Sequence, residues 1–364
     1  MTIHPRYKRY FRQILVFGLI WLSFGLVYVL MEQGLLGPLE EYPATGNKYD
    51  FKNSLLFTGV FSFLAGLAQG GIEVLWLKRR LAKFPFWKKI VLKSSFYLTF
   101  LILFLIMLAL TTNAMRNDTN IFDPKVLDDL WLFMQTFAFW SVILYCGIIL
   151  DVALFHSEMG EYLGNGVLYN YFFGKYHRPK QEIRIFMFLD MKSSTTIAEK
   201  IGHEKYFDLL KVYYADMTDA ILETSGEIYQ YVGDEIVVSW TEKNGLFKNN
   251  CIECFHKIDD VFKRREADYI DKFGLTPSFK AGYHIGEVTT GEIGIIKKDI
   301  IYTGDALNTT ARIQGQCNNY NAKVLISEDL VDKLEFDDSF SLTKIGKLVL
   351  RGKTETIQLY SIAF

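Results

Sequence analysis

The first 155 residues set long apolar runs between short polar connections. Runs over roughly 14–31, 54–77, 90–112 and 131–155 each reach the ~20 apolar residues that a membrane-crossing helix needs. From Ile183 the period changes. "IRIFMFLD" reads as a buried strand, the stretch from Thr195 to Ser225 carries helical spacing, and "GEIYQYVGDEIVVSW" (226–240) is two β-branched runs around a Gly-Asp pair, the pattern of a hairpin. A helix at about 246–267, a strand in "PSFKAGYHIGEV", a helix from Ala306 and two final strands complete one unit of about 180 residues. The expected organisation is a four-span membrane domain over 1–155, a connector over 156–182 and a catalytic-sized domain over 183–364.

Charge orients the spans. Arg6, Lys8, Arg9 and Arg12 precede the first run, and Lys78, Arg79, Arg80, Lys83, Lys88 and Lys89 fill the second connection, whereas the first and third connections lean acidic. The positive-inside rule predicts that both termini are cytoplasmic, with the protein integral to the cell's inner or plasma membrane. The first run is too long for a cleavable signal peptide. Within the runs, Glu73 and Asp151 fall near cytoplasmic ends, where snorkelling or pairing with Lys78 or Arg79 is expected, while Gln69 and Gln135 fall deeper. No His lies deep in a run, which weighs against haem ligation.

Half of the 364 residues are hydrophobic, too many for a chain of purely soluble domains, and the net charge of −1 lacks the basic footprint of a nucleic-acid partner. Of the four cysteines, Cys251 and Cys254 form a C-x-x-C with no second pair to complete a zinc site, so they read as buried residues of an amphipathic helix.

The chemistry sits in three segments. In "IFMFLDMKSSTT" an apolar strand ends in Asp190, followed by a loop and a helix start whose backbone N–H groups, around Met191, Ser193, Ser194 and Thr195, suit phosphate oxygens. Asp234, at the hairpin tip, is explained by turn chemistry alone if it stands apart. If adjacent strands bring it beside Asp190, the two carboxylates raise each other's pKa until cations neutralise them. In "YTGDALNTTARIQG", Asn308 and Arg312 share a helix face and suit a ribose and a charged phosphate; an ordinary solvated face is the plainer reading of that stretch alone. Arg351 and Lys353 flank a glycine in "LRGKTETIQLYSI", a weak phosphate signal by itself.

Taken in order, "FLDMKSST", "YQYVGDEIVVSW", "GYHIGEVTTGEIG", "TGDALNTTARIQG" and "LRGKTETIQLY" resemble the catalytic domain of class III nucleotidyl cyclases, and the 44 residues from Asp190 to Asp234 agree with that family's spacing. The resemblance covers half the chain. It implies an α+β, ferredoxin-like domain that works as a homodimer with sites at the interface. Asp190 and Asp234 match the two aspartates that bind two Mg²⁺ (or Mn²⁺) ions, Asn308 and Arg312 the pair that orients the ribose and stabilises the transition state, and Lys353 a phosphate-binding lysine. The implied reaction is cyclisation of a nucleoside triphosphate, ATP first, to a 3′,5′-cyclic nucleotide in signal transduction.

The base-reading positions depart from the family. Adenylate cyclases carry Lys where this chain has Gln230, and Asp or Thr where it has Ile301; guanylate cyclases carry Glu and Cys there. GTP or a pyrimidine triphosphate therefore stay open beside ATP. Diguanylate cyclases share a Gly-Asp-Glu hairpin but do not require the Asn308/Arg312 pair. A degenerate nucleotide-binding receptor is the non-enzymatic alternative.

Overall fold

The structure, a computed structural model, describes residues 5–37, 41, 48–335, 340–349 and 356–363. Two compact units emerge, one of Tyr7–Tyr169 and one of Asn170–Phe364 together with Met1–Arg6.

In the first unit, Tyr7–Leu36, Phe51–Leu77, Phe86–Arg116 and Phe137–Leu163 are long and apolar enough to cross a membrane. The fourth begins later than the hydropathy suggested. Thr136 caps it by accepting from the Phe139 N–H, and Pro124 and the Asp123 cap start a separate short helix, Pro124–Gln135. Gln135 thus ends that helix and does not lie deep in a span. The first two of these helices touch backbone to backbone: a Cβ on Gly66 would stand 2.5 Å from the Phe17 carbonyl oxygen.

Glu73 differs from expectation too. It is fully buried at the start of a π-helical turn, Glu73–Leu77, and its carboxylate pairs with Lys93 of the third long helix in place of Lys78, while the Arg79 side chain lies outside what the structure describes. Lys93 also meets Glu158 at 2.5 Å, Lys89 reaches Glu158 and Glu161 at 3.3 and 3.4 Å, and Lys78 meets Glu161 at 2.9 Å. Three lysines thus face three glutamates, so each buried charge has a counter-charge, the condition for tolerating ions out of water. The indole of Trp21 donates to Gln69 Oε1 at 2.7 Å and joins the first span to the second.

The second unit is built on one eight-stranded sheet: β1 (Lys180–Met191), β2 (Glu227–Val232), β3 (Glu235–Thr241), β4 (Phe279–Ile293), β5 (Asp299–Thr303), β6 (Val324–Ser327), β7 (Ser341–Val349) and β8 (Thr356–Ala363). Their order is β2-β3-β1-β4-β6-β8-β7, with β5 paired to β4. β1 lies inside the sheet, and its uninterrupted apolar stretch from Ile185 to Leu189 is largely buried on both faces. Ile185, Met187 and Leu189 point into the main core with Leu209, Tyr213 and Met217 of helix His203–Glu223 and with Cys251, Cys254 and Phe255 of helix Asn250–Arg264. Both cysteines are free thiols in that core, and burial raises the pKa of each.

The alternate residues, Phe186 and Phe188, face the opposite side, where Ala306 and Leu307 of helix Asp305–Gln316 cover them. That helix lies directly on β4. A Cβ on Gly282 would come 2.3 Å from the Gln314 nitrogen, so only glycine permits the approach.

Candidate active site

The hairpin between β2 and β3 is as tight as its sequence suggests. Val232 pairs with Glu235, leaving Gly233 and Asp234 as a two-residue loop; Gly233 takes φ +63°, as the first position of a type II′ turn requires. The β1–β3 register then pairs Asp190 with Glu235, which sets the hairpin tip beside the end of β1. Asp190 and Asp234 meet within hydrogen-bonding reach. Burial raises the Asp190 pKa, and Asp234 raises it further. The next acid, Glu235, is pushed up to about 7 by burial and by Asp190 and Asp234.

Two groups partly offset this surplus of negative charge. Lys280, opposite Asp190 on β4, stands 3.4 Å from its Oδ2, and the Gln314 side-chain amide donates to the same oxygen at 3.1 Å. Asp234 Oδ2 is buried and has no hydrogen-bond partner among the described residues. An orphaned, buried carboxylate oxygen beside a second carboxylate is costly unless a cation occupies the site, so the donor set fits divalent metal. No cluster of three or more His, Cys, Asp or Glu suited to a metal exists among the described residues. A cation on Asp190 and Asp234 would take its remaining ligands from phosphate, water or backbone oxygen.

Beyond Asp190, Met191 is buried and paired with Phe279, and the Lys192 N–H is bound to the Ser278 carbonyl at 2.8 Å. Ser193 takes φ +57° and gives no side-chain cap to helix Ser194–Ile201, so the first-turn N–H groups at Ser194 and Thr195 have no capping oxygen from it.

Asn308 and Arg312 stand one turn apart on helix Asp305–Gln316, whose buried positions Ala306, Thr309, Thr310 and Ile313 grip the sheet. Asn308 is exposed and Arg312 half-buried, and neither has a hydrogen-bond or ion-pair partner among the described residues. Gln230 is exposed on β2 opposite Val237, and Ile301 is half-buried on β5 opposite Gly291. Lys353, with Arg351, lies outside the described residues.

Sequence reasoning missed Lys280 and Gln314. The first left a signal: a lysine inside the apolar alternation of "PSFKAGYH", where a buried cation needs an acid partner.

This arrangement defines a cyclase-type domain. Residues 175–363 match the adenylate and guanylate cyclase catalytic domain family, and the chain belongs to it. It is 32% identical over 225 residues to adenylate cyclase 2 of Rhizobium meliloti (strain 1021), covering 61% of each chain. It is 32% identical over 179 residues to an adenylate cyclase of Anabaena cylindrica, covering 48% of this chain and 36% of that one. The chain thus spans less than two thirds of the length of these relatives. A bacterial light-regulated adenylyl cyclase shares the fold, with a TM-score of 0.53 at 19% identity over 62% of this chain and 65% of that one.

Proposed function

We propose that the protein is a membrane-anchored nucleotidyl cyclase that converts ATP to 3′,5′-cyclic AMP and pyrophosphate. The observation that carries the reading is the adjacency of Asp190 and Asp234 with the buried, unpartnered Oδ2 of Asp234. Two Mg²⁺ (or Mn²⁺) ions held by these carboxylates would supply the positive charge that makes the ribose 3′-hydroxyl acidic and the pyrophosphate a better leaving group. The loop at Met191, Ser193, Ser194 and Thr195 orients the phosphates through backbone N–H groups. Arg312 meets the charge that develops on the α-phosphate as the O3′–P bond forms and the bond to pyrophosphate breaks, and Asn308 holds the ribose. Lys353 contributes charge to the triphosphate. Gln230 and Ile301 border the base. An amide both donates and accepts, so Gln230 can address the adenine edge, while Ile301 can only pack against it.

The site is shared between two copies of the chain. On one protomer, helix Asp305–Gln316 reaches Asp190 through Gln314 but presents Asn308 and Arg312 without partners among the described residues. A two-fold homodimer, in which each copy lends this pair to the other's carboxylates, completes two equivalent sites. The basic residues before the first span and in the second connection support cytoplasmic termini, which places the reaction on the side where nucleoside triphosphates are abundant.

The decisive experiment incubates purified full-length protein with each of the four nucleoside triphosphates and Mg²⁺ or Mn²⁺ and identifies the product by mass. Cyclic AMP formed fastest from ATP is the expected result. A cyclic dinucleotide, or nucleotide binding without turnover, would end this reading.

A further inference from the structure

Gln230 and Ile301 sit on strands that the sheet keeps apart. β3, β1 and β4 stand between β2 and β5, so in a flat sheet the two would be about 19 Å apart at ~4.8 Å per strand. The sheet instead curls, and the β5 residue Tyr302 meets the β2 residue Tyr229 with ring centroids 4.8 Å apart, its N–H directed at the Tyr229 hydroxyl at 3.5 Å. These two residues are the immediate chain neighbours of Ile301 and Gln230.

The residue that bridges the curled strands is Arg184, on β1 and 2% exposed. Its guanidinium lies over the Tyr302 ring, 4.9 Å from the centroid. One edge donates to Glu227 of β2 at 2.7 Å and to Ser239 of β3 at 3.2 Å; Nε donates to Glu182 of β1 at 3.0 Å. Glu182 in turn accepts from the Thr290 hydroxyl of β4 at 2.6 Å, and Tyr302 hydrogen-bonds Ser239. Nη2 approaches the hydroxyl of Tyr176, a buried residue just before β1, at 3.5 Å. One planar cation therefore ties β1, β2 and β3 directly to β5, and β4 through Glu182. Arginine has the fork of donors for this; lysine does not. None of the reaction steps uses Arg184, and an arginine this buried in a small apolar sheet face needs a purpose that offsets its desolvation.

We propose that Arg184 is a positioning residue for nucleobase selection, holding β2 and β5 so that Gln230 and Ile301 face the base at a fixed separation. This inference rests on the cyclase reading of the same site. Because Arg184 lies away from the carboxylate pair along β1, its loss alters how the base is gripped and leaves the bond-making groups in place.

The test compares Arg184→Lys and Tyr229→Phe with the parent, all full-length, measuring KM and kcat for ATP, GTP, CTP and UTP together with thermal unfolding. Arg184→Lys is expected to raise KM for the preferred nucleotide about tenfold and erode the preference over the runner-up by a similar factor, the scale of one or two lost charged hydrogen bonds. kcat should stay within about threefold, because transition-state contacts are untouched. Tyr229→Phe, which removes one long hydrogen bond, should shift KM and preference the same way by about threefold.

A folded Arg184→Lys with unchanged KM and unchanged preference overturns the proposal, as does a fall in kcat alone. If that variant does not fold, an unaltered preference in Tyr229→Phe overturns it instead. If the parent turns over none of the four, the cyclase reading fails separately. Displacement of a fluorescent ATP analogue by each triphosphate then reads base preference directly, and identical preference in parent and variants, or no displacement by any of them, refutes the clamp.

Discussion

Acid residues are withdrawn from solvent in both units of this protein, wholly at Glu73 and Glu158 and partly at Asp190, Asp234 and Glu235, and they are treated in opposite ways. In the first unit, Glu73 and Glu158 close on Lys93, and Glu161 on Lys78 and Lys89, so the charges cancel locally. At the ends of β1 and the β2–β3 hairpin, Asp190, Asp234 and Glu235 crowd together against one cation among the described residues, Lys280, and one carboxylate oxygen finds no donor among those residues. The first arrangement is complete as built and costs stability only if broken. The second is deficient in positive charge as built, and it becomes favourable when something cationic binds. Buried charge that is balanced holds a fold together; buried charge left unbalanced marks where a ligand is required.

That contrast can be broken at several points. Asp234→Ala should cut turnover by about three orders of magnitude or more, the scale of losing metal-borne charge stabilisation. Its thermal unfolding should be unchanged or improved in metal-free buffer, since repulsion is relieved; undiminished turnover would refute the two-metal assignment. Arg312→Ala should lower kcat by about 10²–10³-fold with a much smaller effect on nucleotide binding, as expected of a group that acts on developing charge. Comparable losses in rate and in affinity would remove it from that role.

On the balanced side, Lys93→Met leaves Glu73 buried without its cation and Glu158 with Lys89 alone, and should destabilise the first unit by about 3–5 kcal/mol. The measurement is thermal unfolding of the full chain in detergent, and an unshifted midpoint would mean that water enters the cluster. Smaller still, millimolar Mg²⁺ or Mn²⁺ should raise the unfolding temperature of the parent by a few degrees and that of Asp234→Ala hardly at all, by simple linkage.

The smallest effect concerns Glu182. Burial pushes its pKa up, but the Thr290 hydroxyl and Arg184 outweigh this and hold it below the ordinary 4.5. Its contribution is therefore present above that value and disappears as pH falls through the depressed one. The stability gap between parent and Glu182→Gln should shrink on acidification from about pH 6 to below about pH 4. A gap that stays constant would show that its charge is not what matters.

The parts of this design that were legible in the sequence are those made by near neighbours. The strand ending in Asp190, the Gly233–Asp234 turn and the one-turn spacing of Asn308 and Arg312 all follow from local periodicity and turn chemistry. Contacts made across the fold were not legible. Lys280 and Gln314 reach Asp190 only because β4 pairs with β1 in one register and a glycine lets a helix sit on β4. The partnership of Glu73 with Lys93 depends on how two long helices pack, where the sequence offered Lys78 as the nearer cation. The late start of the fourth span came from a single threonine cap, which average hydropathy cannot register.

The helix Asp305–Gln316 holds Asp190 with Gln314 and carries Asn308 and Arg312 two turns and less away. In the two-fold pair, each such helix would brace the acid of its own pocket and furnish the amide and guanidinium of the opposite one. Filling either pocket of the proposed pair would then tug on a lever whose other arm lies in its twin. Such an enzyme would answer rising substrate with a curve whose Hill coefficient departs from one, and cutting Gln314 back to alanine should return it to a plain hyperbola.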